Sequence, residues 1–327
     1  MTRKSIRGLL AVLAVAGFAA PAMAQNYPTK PIVMVVPFPP GGPSDVVARI
    51  MAEGMTKTLG QHVVIENVGG AGGTIGTGRV ATAEPDGYTV LAASMGSHVS
   101  APALFPALKY DSTKDFEAIG LTANSPAAVV VRKEFPANTF KEFVEVLKKQ
   151  GEGIKQAHGG IGASSHMACL LLSAELNVKP TQVAYRGTGP ALNDVVGGHV
   201  DFFCEQVVSV QGGIKGGTIK GLMVSGNDRS PALPDVPSAK EAGLPGFQIN
   251  IWSGIFAPKG TPKPIVDKLA AALDATLNDP AVSKRLLELG GTVPPASDRG
   301  PDFLAKQVKA DIASWNPILK AANEKTN

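Results

Sequence analysis

The sequence is poor in the residues on which several classes of protein depend. Of its 327 residues, two are cysteine, five are histidine and 6% are aromatic. The cysteines and histidines do not stand in pairs at metal-ligand spacing, which leaves a metal site without support, and we expect no cofactor. Lysine and arginine form no basic cluster beyond the N-terminal segment. Because nucleic-acid binding needs such a cluster for its phosphate contacts, we exclude that class.

The first 24 residues have the pattern of a secretory signal peptide. Its basic start is formed by Arg3, Lys4 and Arg7. An apolar run from Leu9 to Ala20 follows, too short to span a bilayer, and Ala22-Met23-Ala24 is a small-residue cleavage site. A buried N-terminal helix is the alternative. We expect an exported, periplasmic protein that begins at Gln25. Cleavage removes three positive and no negative charges, so the formal net charge falls from +4 to about +1.

The predicted compartment determines the expected oxidation state of the two cysteines, Cys169 and Cys204. Exported proteins meet an oxidising environment in which two thiols can pair. One disulfide between them is therefore predicted, and two isolated buried thiols are the alternative.

Short apolar strands alternate with helical segments along most of the chain. Strands are predicted at Ile32–Val36, Val63–Asn67, Tyr88–Ala93, Ala127–Val131, Gly153–His158, Thr181–Tyr185, Val200–Cys204 and Thr218–Ser225. Helices are predicted at Val46–Leu59, Thr74–Ala83, Phe140–Gln150, Ser165–Leu176, Pro190–Val196, Pro262–Asn278 and Asp302–Ala322. This alternation predicts an α/β fold with mostly parallel sheets, flanked by helices on both faces.

The C-terminal part contains no further convincing strand from Pro264 onward, and its helices need a sheet to cover. We expect them to pack back on the N-terminal sheet. The chain would then cross between two lobes near Leu121–Pro126 and near Gln248–Phe256. We assign residues 25–124 and 252–327 to lobe 1 and residues 125–251 to lobe 2, with a ligand-binding cleft between them.

The segment Pro37-Phe38-Pro39-Pro40-Gly41-Gly42-Pro43-Ser44-Asp45 follows the first predicted strand. Pro43 suits the first position of a helix, so the glycines lead onto a helix N-terminus. Free backbone N–H groups and the helix dipole favour an anion there. Because the loop contains no lysine, it is not a phosphate-binding loop of the Walker type. A carboxylate fits better.

Three other predicted strand ends carry similar groups. Ser94, Ser97 and His98 follow one strand, a loop from Gly159 to His166 follows another, and Tyr185-Arg186-Gly187-Thr188-Gly189-Pro190 follows a third. Each alone is explained by ordinary turn chemistry. Their occurrence at corresponding places in two halves favours one shared site.

Two motifs suggest other functions. Gly76-Thr77-Gly78-Arg79-Val80-Ala81 matches a dinucleotide fingerprint, but the next predicted strand lacks the acidic residue that would hold the ribose. Close packing of helix on sheet explains these glycines. Ser94 stands in a relaxed nucleophile elbow, with Asp194 and His199 as formal partners. Because those two are only five residues apart, a triad is difficult to build, and a secreted serine esterase is the alternative function.

Taken in order, the motifs resemble those of the Bug/TctC extracytoplasmic solute receptors, the binding components of tripartite tricarboxylate transporters. The matching motifs are Val35 to Asp45, Ser97-His98, Gly160-x-Gly162-x-Ser164-x-His166, Tyr185 to Ala191, Asp194 to Asp201, Pro234-Asp235-Val236-Pro237 and Ala257 to Pro262. The resemblance covers the whole mature chain. It implies two α/β lobes that close over a small carboxylate, with no catalysis, and delivery to inner-membrane permease subunits; we expect a monomer. A sensory receptor of the same fold remains a further alternative.

The resemblance also implies a site with two loops, here called the first jaw (Phe38–Gly42) and the second jaw (Tyr185–Gly189). The candidate ligand-binding residues are Phe38, Pro39, Pro40, Gly41, Gly42, Ser44, Asp45, Ser94, Ser97, His98, Gly162, Ser164, His166, Tyr185, Arg186, Gly187, Thr188, Gly189 and Glu205. Many relatives have aspartate in place of Glu205, and in the amino-acid-binding members this aspartate can contact the ammonium group of the ligand. Glu205 is one methylene longer, and a salt-bridged or rim residue is the alternative role for it. Dicarboxylates, tricarboxylates and aromatic acids such as terephthalate all have a carboxylate that the two jaws could bind. The lack of a second cationic anchor disfavours tricarboxylates.

Overall fold

Strands and helices alternate through residues 27–326, the part of the chain that the computed structural model describes. The strands are β1 (Ile32–Val36), β2 (Val63–Asn67), β3 (Thr89–Ser94), β4 (Phe116–Arg132), β5 (Lys155–His158), β6 (Thr181–Ala184), β7 (Phe202–Gln206), β8 (Ile219–Val224) and β9 (Asn250–Pro258). The helices are α1 (Pro43–Leu59), α2 (Thr74–Ala81), α3 (Ala101–Leu104), α4 (Phe140–Gln150), α5 (Ser164–Leu176), α6 (Thr188–Val196), α7 (Val207–Lys215), α8 (Lys263–Leu277), α9 (Pro280–Glu288) and α10 (Pro301–Thr326). The predicted signal peptide, residues 1–24, lies outside the described residues.

The strands form one continuous sheet in the order β2-β1-β3-β9-β4-β7-β5-β6, and β8 also pairs with β4. β1 is parallel to β2 and β3, and β5 is parallel to β6 and β7. The long central strands β4 and β9 run antiparallel to their neighbours. The α/β class is confirmed, with an antiparallel centre between two parallel flanks.

β4 joins the two flanks of the sheet. Its first part, Phe116 to Pro126, pairs with β9, and its second part, from Ala127, pairs with β7 and β8. The sequence predicted only the second part as a strand. The first part contains Gly120, Asn124 and Pro126, residues that strands disfavour, and its pairing with β9 overrides these local preferences.

α7 and β9 were not predicted. The α7 sequence Val207-Val208-Ser209-Val210-Gln211-Gly212-Gly213 combines β-branched residues with glycines, a composition that disfavours helix. Val207, Val208 and Val210 are buried against the sheet, so tertiary packing determines the helix. β9 is buried along almost its whole length, and it therefore lacks the alternation that marks a half-buried strand.

The C-terminal helices cover the sheet as predicted. α8 packs on α1, where the two helices approach so closely that a Cβ on Gly54 would lie 2.2 Å from Thr276 Cγ2. α10 contacts both β4 and α5, and Trp252 Nε1 of β9 donates a 2.7 Å hydrogen bond to Asp311. Between Tyr27 and Thr326, none of the helices has both the length and the apolar character needed to cross a bilayer.

The predicted disulfide between Cys169 and Cys204 is not formed in the structure. Cys169 on α5 and Cys204 on β7 are both free and fully buried. Cys169 Sγ donates to the Ala157 carbonyl at 3.8 Å, which requires the thiol proton that a disulfide lacks. The thiols are nevertheless neighbours, since burial first and a hydrogen bond with Cys169 second raise the pKa of Cys204. The structure therefore contains the alternative, two buried thiols, but as a pair.

Candidate functional site

A cavity with an empty volume of about 340 Å³ lies where the carboxyl ends of β1, β5, β6 and β7 meet. Its wall consists of Phe38, Pro39, Gly42, Pro43 and Ser44 after β1, Gly159, Ala163, Ser164 and Ser165 after β5, Gly187 and Thr188 after β6, and Glu205 and Gln206 at the end of β7. Ligands of open α/β sheets bind at such carboxyl ends. This volume includes space that is open to solvent.

The first jaw is held from behind by a buried carboxylate. Asp45 accepts hydrogen bonds from the Gly41 N–H at 2.9 Å, from Asn67 Nδ2 at 2.9 Å and from Arg49 at 3.0 Å. Asn67 Nδ2 also donates to the Phe38 carbonyl at 3.1 Å. Burial alone would raise the pKa of Asp45, but the hydrogen bonds from Arg49, Gly41 and Asn67 outweigh it and lower the pKa. Asp45 therefore fixes the loop and is ionised at neutral pH.

The two jaws touch each other. Gly187 has a φ of +141°, and a Cβ on this residue would lie 2.9 Å from Pro39 Cγ. A Cβ on Gly42 would lie 3.5 Å from the Thr188 Cβ. A glycine at position 187 is thus required both by the backbone conformation and by the approach of the first jaw. The two jaws are therefore in contact in this structure.

Four helix N-termini converge on the cavity. Their N-cap residues are Gly42 for α1, Ala163 for α5, Gly187 for α6 and Gln206 for α7. None of these four residues makes a side-chain capping hydrogen bond. The first N–H groups of a helix have no partner within the helix, and the dipole makes this end positive. The cavity wall therefore offers backbone donors and a positive potential, the properties of an anion site.

Glu205 places a carboxylate in this same wall. The side chain is 1% exposed. Its Oε2 accepts a 2.6 Å hydrogen bond from the Thr188 hydroxyl, and its Oε1 accepts a 2.7 Å hydrogen bond from the Gln206 N–H. Burial raises the pKa of Glu205 to about 7, and these two hydrogen bonds reduce the shift. Within residues 27–326, no lysine, arginine or histidine forms an ion pair with it.

The structure brings together eight of the predicted site residues. Those that line the cavity are Phe38, Pro39, Gly42, Ser44, Ser164, Gly187, Thr188 and Glu205. The other predicted residues lie elsewhere. Pro40 and Gly41 are exposed at the tip of the first jaw, and Asp45 supports that jaw from behind.

Ser94, Ser97 and His98 do not line the cavity. All three are fully buried, and His98 stacks on Phe256 with the ring centroids 4.2 Å apart. Burial lowers the pKa of His98 to about 3, so this imidazole is neutral. Ser97 Oγ lies 3.3 Å from His98 Nδ1, and the Tyr110 hydroxyl donates to the Ser97 carbonyl. These residues build the interior behind β3.

The partners required by an esterase are not assembled. The Ser94 hydroxyl has no hydrogen-bond partner among residues 27–326. Asp194 accepts a 2.6 Å hydrogen bond from the Tyr185 hydroxyl, and His199 is exposed at the end of α6. A nucleophile needs its base within hydrogen-bond reach. The structure thus gives Ser94 no base.

The remaining candidates have structural contacts. His166 is buried beside His158, with ring centroids 4.5 Å apart, and its Nε2 lies 3.3 Å from Gln182 Oε1. Gly162 has a φ of +82° and packs against Phe105. In the second jaw Arg186 is exposed and Gly189 is half-buried.

Sequence reasoning missed five residues of the wall: Pro43, Gly159, Ala163, Ser165 and Gln206. Four of them stood inside the motifs that drew attention to the site. Ser165, whose hydroxyl accepts from the Gly159 N–H at 2.9 Å, shows why they matter, since it orders the loop after β5. Gln206 had no signal, because α7 was not predicted. Within residues 27–326 there is no group of three or more histidine, cysteine, aspartate or glutamate side chains that could hold a metal ion.

Comparisons with known proteins assign the chain to a family. The model of the tripartite tricarboxylate transporter family receptor matches residues 47–323. Protein BugT of Bordetella pertussis is 32% identical over 322 residues, which cover 97% of this chain and 98% of BugT. The chain belongs to this Bug/TctC receptor family. The resemblance seen in the motifs is thereby confirmed.

Solved structures of Bug/TctC receptors have the same fold. MatC from Rhodopseudomonas palustris with bound malate is 44% identical, covers 90% of this chain and all of its own, and superposes with a TM-score of 0.87. The periplasmic binding protein BugD is also 44% identical, with 91% and 99% coverage and a TM-score of 0.87. The two-lobe periplasmic-binding-protein architecture is therefore confirmed, and this receptor family is one of periplasmic solute-binding proteins.

Proposed function

We propose that this receptor captures a small organic dicarboxylate in the cleft between its jaws and delivers it to the membrane subunits of a tripartite transporter. The observation that carries the proposal is the convergence of four uncapped helix N-termini on one cavity. Such a wall binds a carboxylate through neutral donors and needs no buried counter-charge, whose desolvation would be costly.

The choice of a dicarboxylate rests on the composition of the wall. Among the residues that line the cavity none is lysine or arginine, and Arg186 of the second jaw is exposed. A tricarboxylate would bring three negative charges to a wall that already contains Glu205. A relative of 44% identity was solved with malate, a four-carbon dicarboxylate, which supports the same class of ligand here. Aromatic acids such as terephthalate have the same carboxylates on a larger body.

Capture is proposed to occur by closure of the lobes. The first jaw belongs to the β1 flank of the sheet and the second jaw to the β6 flank, and the ligand touches both. A ligand that contacts both lobes binds the closed state more tightly than the open state, and this difference shifts the equilibrium toward closure. No chemical step is needed, and we propose that the protein is not an enzyme. It acts as a periplasmic monomer.

A thermal-shift panel on the mature protein, residues 25–327, tests the ligand class. We expect malate, succinate and adipate to raise the melting temperature, because a ligand that binds only the folded state stabilises it by mass action. Citrate should give a smaller shift, and terephthalate tests the aromatic acids. A shift produced by sugars or amines but by none of these acids would overturn the proposal. Turnover of a chromogenic ester, lost in Ser94→Ala, would instead establish the esterase.

Delivery to a transporter needs its own experiment. Membrane vesicles that contain the cognate permease subunits should take up the labelled dicarboxylate only when the loaded receptor is added. Binding without any receptor-dependent uptake would favour the sensory role over transport.

A further inference from the structure

Glu205 is unusual because a carboxylate stands in the wall of a site proposed for carboxylates. Both of its oxygens accept a hydrogen bond, one from Thr188 and one from the Gln206 N–H. A carboxylate oxygen has two lone pairs, so each oxygen still has room for a proton. The side chain is almost completely buried and has no cationic partner within residues 27–326.

A second carboxylate in this cavity creates a conflict of charge. Two carboxylates that share a small, water-poor space cannot both remain ionised, since their repulsion is weakly screened there. In the proposed function, helix N-termini hold one carboxylate of the ligand. Thr188, whose hydroxyl donates to Glu205, is the first residue of one of these helices, α6. The conflict is removed if one carboxyl group takes up a proton.

We propose that Glu205 takes up a proton from solvent when a dicarboxylate binds, keeps that proton and donates a hydrogen bond through it to the ligand, so that binding is coupled to the uptake of one proton. Glu205 changes from an ionised acceptor to a neutral donor, and the ligand remains a dianion. A ligand with an ammonium group would reverse the requirement, because it would keep Glu205 ionised. Glu205 thus distinguishes an unsubstituted or hydroxylated dicarboxylate from an amino acid. The inference rests on the proposed function.

Among the described residues, 27–326, no other group around Glu205 would replace it in this role. Titratable side chains on the elements packed against β7 are Lys155 and His158 on β5, His166, Cys169 and Glu175 on α5, Cys204 on β7 itself, Asp194 on α6, Lys215 on α7, and Glu117 and Arg132 on β4. Burial lowers the pKa of His158 to about 4 and, with His158 adding to the effect, that of His166 to about 3, so both are neutral at neutral pH. Arg132 pairs with Asp201 at the other end of the sheet strands.

Across the cleft, the first jaw contributes no titratable residue, and Asp45 behind it is already bound by Arg49. Burial raises the pKa of Glu205 to about 7, which agrees with a group that gains a proton near neutral pH.

Calorimetric titration of the wild-type mature protein with malate tests the proposal without any variant. Titrations in two buffers of different ionisation enthalpy, from about pH 6.5 to about pH 8.5, measure the protons taken up. We expect uptake to approach one proton per malate at the alkaline end, with the affinity falling about tenfold per pH unit above about pH 7. Aspartate, the amino counterpart of malate, should bind without proton uptake.

Glu205→Gln supplies a second, independent measurement, with Glu145→Gln on the exposed face of α4 as the matched control. Malate binding to Glu205→Gln should be independent of pH and release or take up no proton, whereas the control should behave as the wild type. Tight malate binding by the wild type without proton uptake would overturn the proposal and leave the proposed function intact. Failure of every dicarboxylate to bind at any pH would overturn both.

Discussion

The two jaws of the cleft use their side chains in opposite ways. In the first jaw the polar groups face away from the cavity, where Asp45 and Asn67 hold the backbone of Phe38 to Gly41 in place. In the second jaw Thr188 lines the cavity, and its hydroxyl donates to the Glu205 carboxylate, which forms the adjacent part of the wall. The charge of Asp45, behind the first jaw, is neutralised by Arg49, whereas Glu205, beside the second jaw, has no cationic partner within residues 27–326.

This difference separates two tasks. A rigid loop whose backbone N–H groups face the ligand binds any carboxylate in much the same way. A buried side chain that can be protonated or ionised responds to the remainder of the ligand. We infer that the first jaw determines the class of ligand and that Glu205, beside the second jaw, discriminates between ligands of that class.

The largest effect is expected where the closed lobes touch beside the jaws. Gly72, with a φ of +63°, approaches the loop after β5 so closely that a Cβ would lie 1.9 Å from the Ile161 carbonyl oxygen. Gly72→Ala should therefore prevent full closure and weaken dicarboxylate binding at least about 1,000-fold, or about 4 kcal/mol. Calorimetric titration measures this loss.

Gly60→Ala is the matched control for this experiment. Gly60 has a similar φ of +68° at the end of α1, but a Cβ there would meet nothing within 4 Å. Both substitutions carry the same backbone strain, and only Gly72→Ala adds the collision. Equal dicarboxylate affinities in the two variants would show that binding does not need the closed cleft. The two jaws would then not act on the same ligand from opposite sides.

The second prediction concerns the stability of the unliganded protein. The pKa of Glu205 rises from 4.5 to about 7 on folding, chiefly through burial. The folded state therefore keeps this proton over a pH range in which the unfolded chain has lost it. The free energy of unfolding should fall as the pH rises from about 4.5 to about 7, by on the order of 3 kcal/mol from this group.

Denaturant titrations at several pH values can isolate that contribution. Glu205→Gln should lack the contribution of this group. The difference in the free energy of unfolding between wild type and variant should therefore change from about pH 4.5 to about pH 7 and stay constant above that range. Buried histidines act in the opposite direction between about pH 3 and about pH 6.5, and their contributions cancel because both proteins contain them. Parallel pH profiles would mean that Glu205 does not titrate near neutrality.

The third prediction tests the first jaw. Asp45→Asn removes the charge that binds Arg49 and weakens the acceptor for the Gly41 N–H. We expect a loss of about 2 kcal/mol in stability, because hydrogen bonds to charged groups contribute about that amount. Dicarboxylate affinity should fall about tenfold, with no change in its pH dependence between pH 6.5 and pH 8.5.

Asp267→Asn on the exposed face of α8 is a suitable control for Asp45→Asn, since its carboxylate pairs only with the exposed Lys263. The stability contributed by Asp45 should be present at neutral pH and be lost in acid, because its pKa lies below the ordinary value in the folded state. A variant that bound malate as tightly as the wild type would show that the loop needs no support from behind.

Local signals predicted the part of the site that backbone geometry creates. Pro43 and the glycines before it mark a helix start wherever they occur, and the structure begins α1 at Pro43. The motif around Gly187 and Thr188 has the same character, and α6 begins at Thr188. Such signals depend only on neighbouring residues, so a single sequence contains them.

The direction of a side chain at a strand end was not predictable in the same way. Ser94 and His98 follow β3 as the polar residues of a site would, but the π-helical turn Gly96–Ser100 carries His98 into the aromatic interior beside Phe256. Which face of a strand meets the cleft depends on how β9 pairs with β3, a contact between residues far apart in sequence. β9 itself was not predicted, and these two errors have the same origin.

The smallest effect is expected at Arg186, the one cation of the second jaw. Its side chain is exposed, although its neighbours Gly187 and Thr188 line the cavity. If the carboxylate is held by backbone N–H groups, Arg186→Ala should change malate affinity by less than about threefold, because exposed charges contribute less than about 1 kcal/mol. The residual effect should disappear at high salt, where exposed charges are screened. A loss of more than about tenfold that persists in high salt would mean that the guanidinium turns inward and pairs with the ligand. The second jaw would then place a cation in the cavity, Glu205 would have a counter-charge when the ligand is bound, and the contrast between the jaws would have to be redrawn.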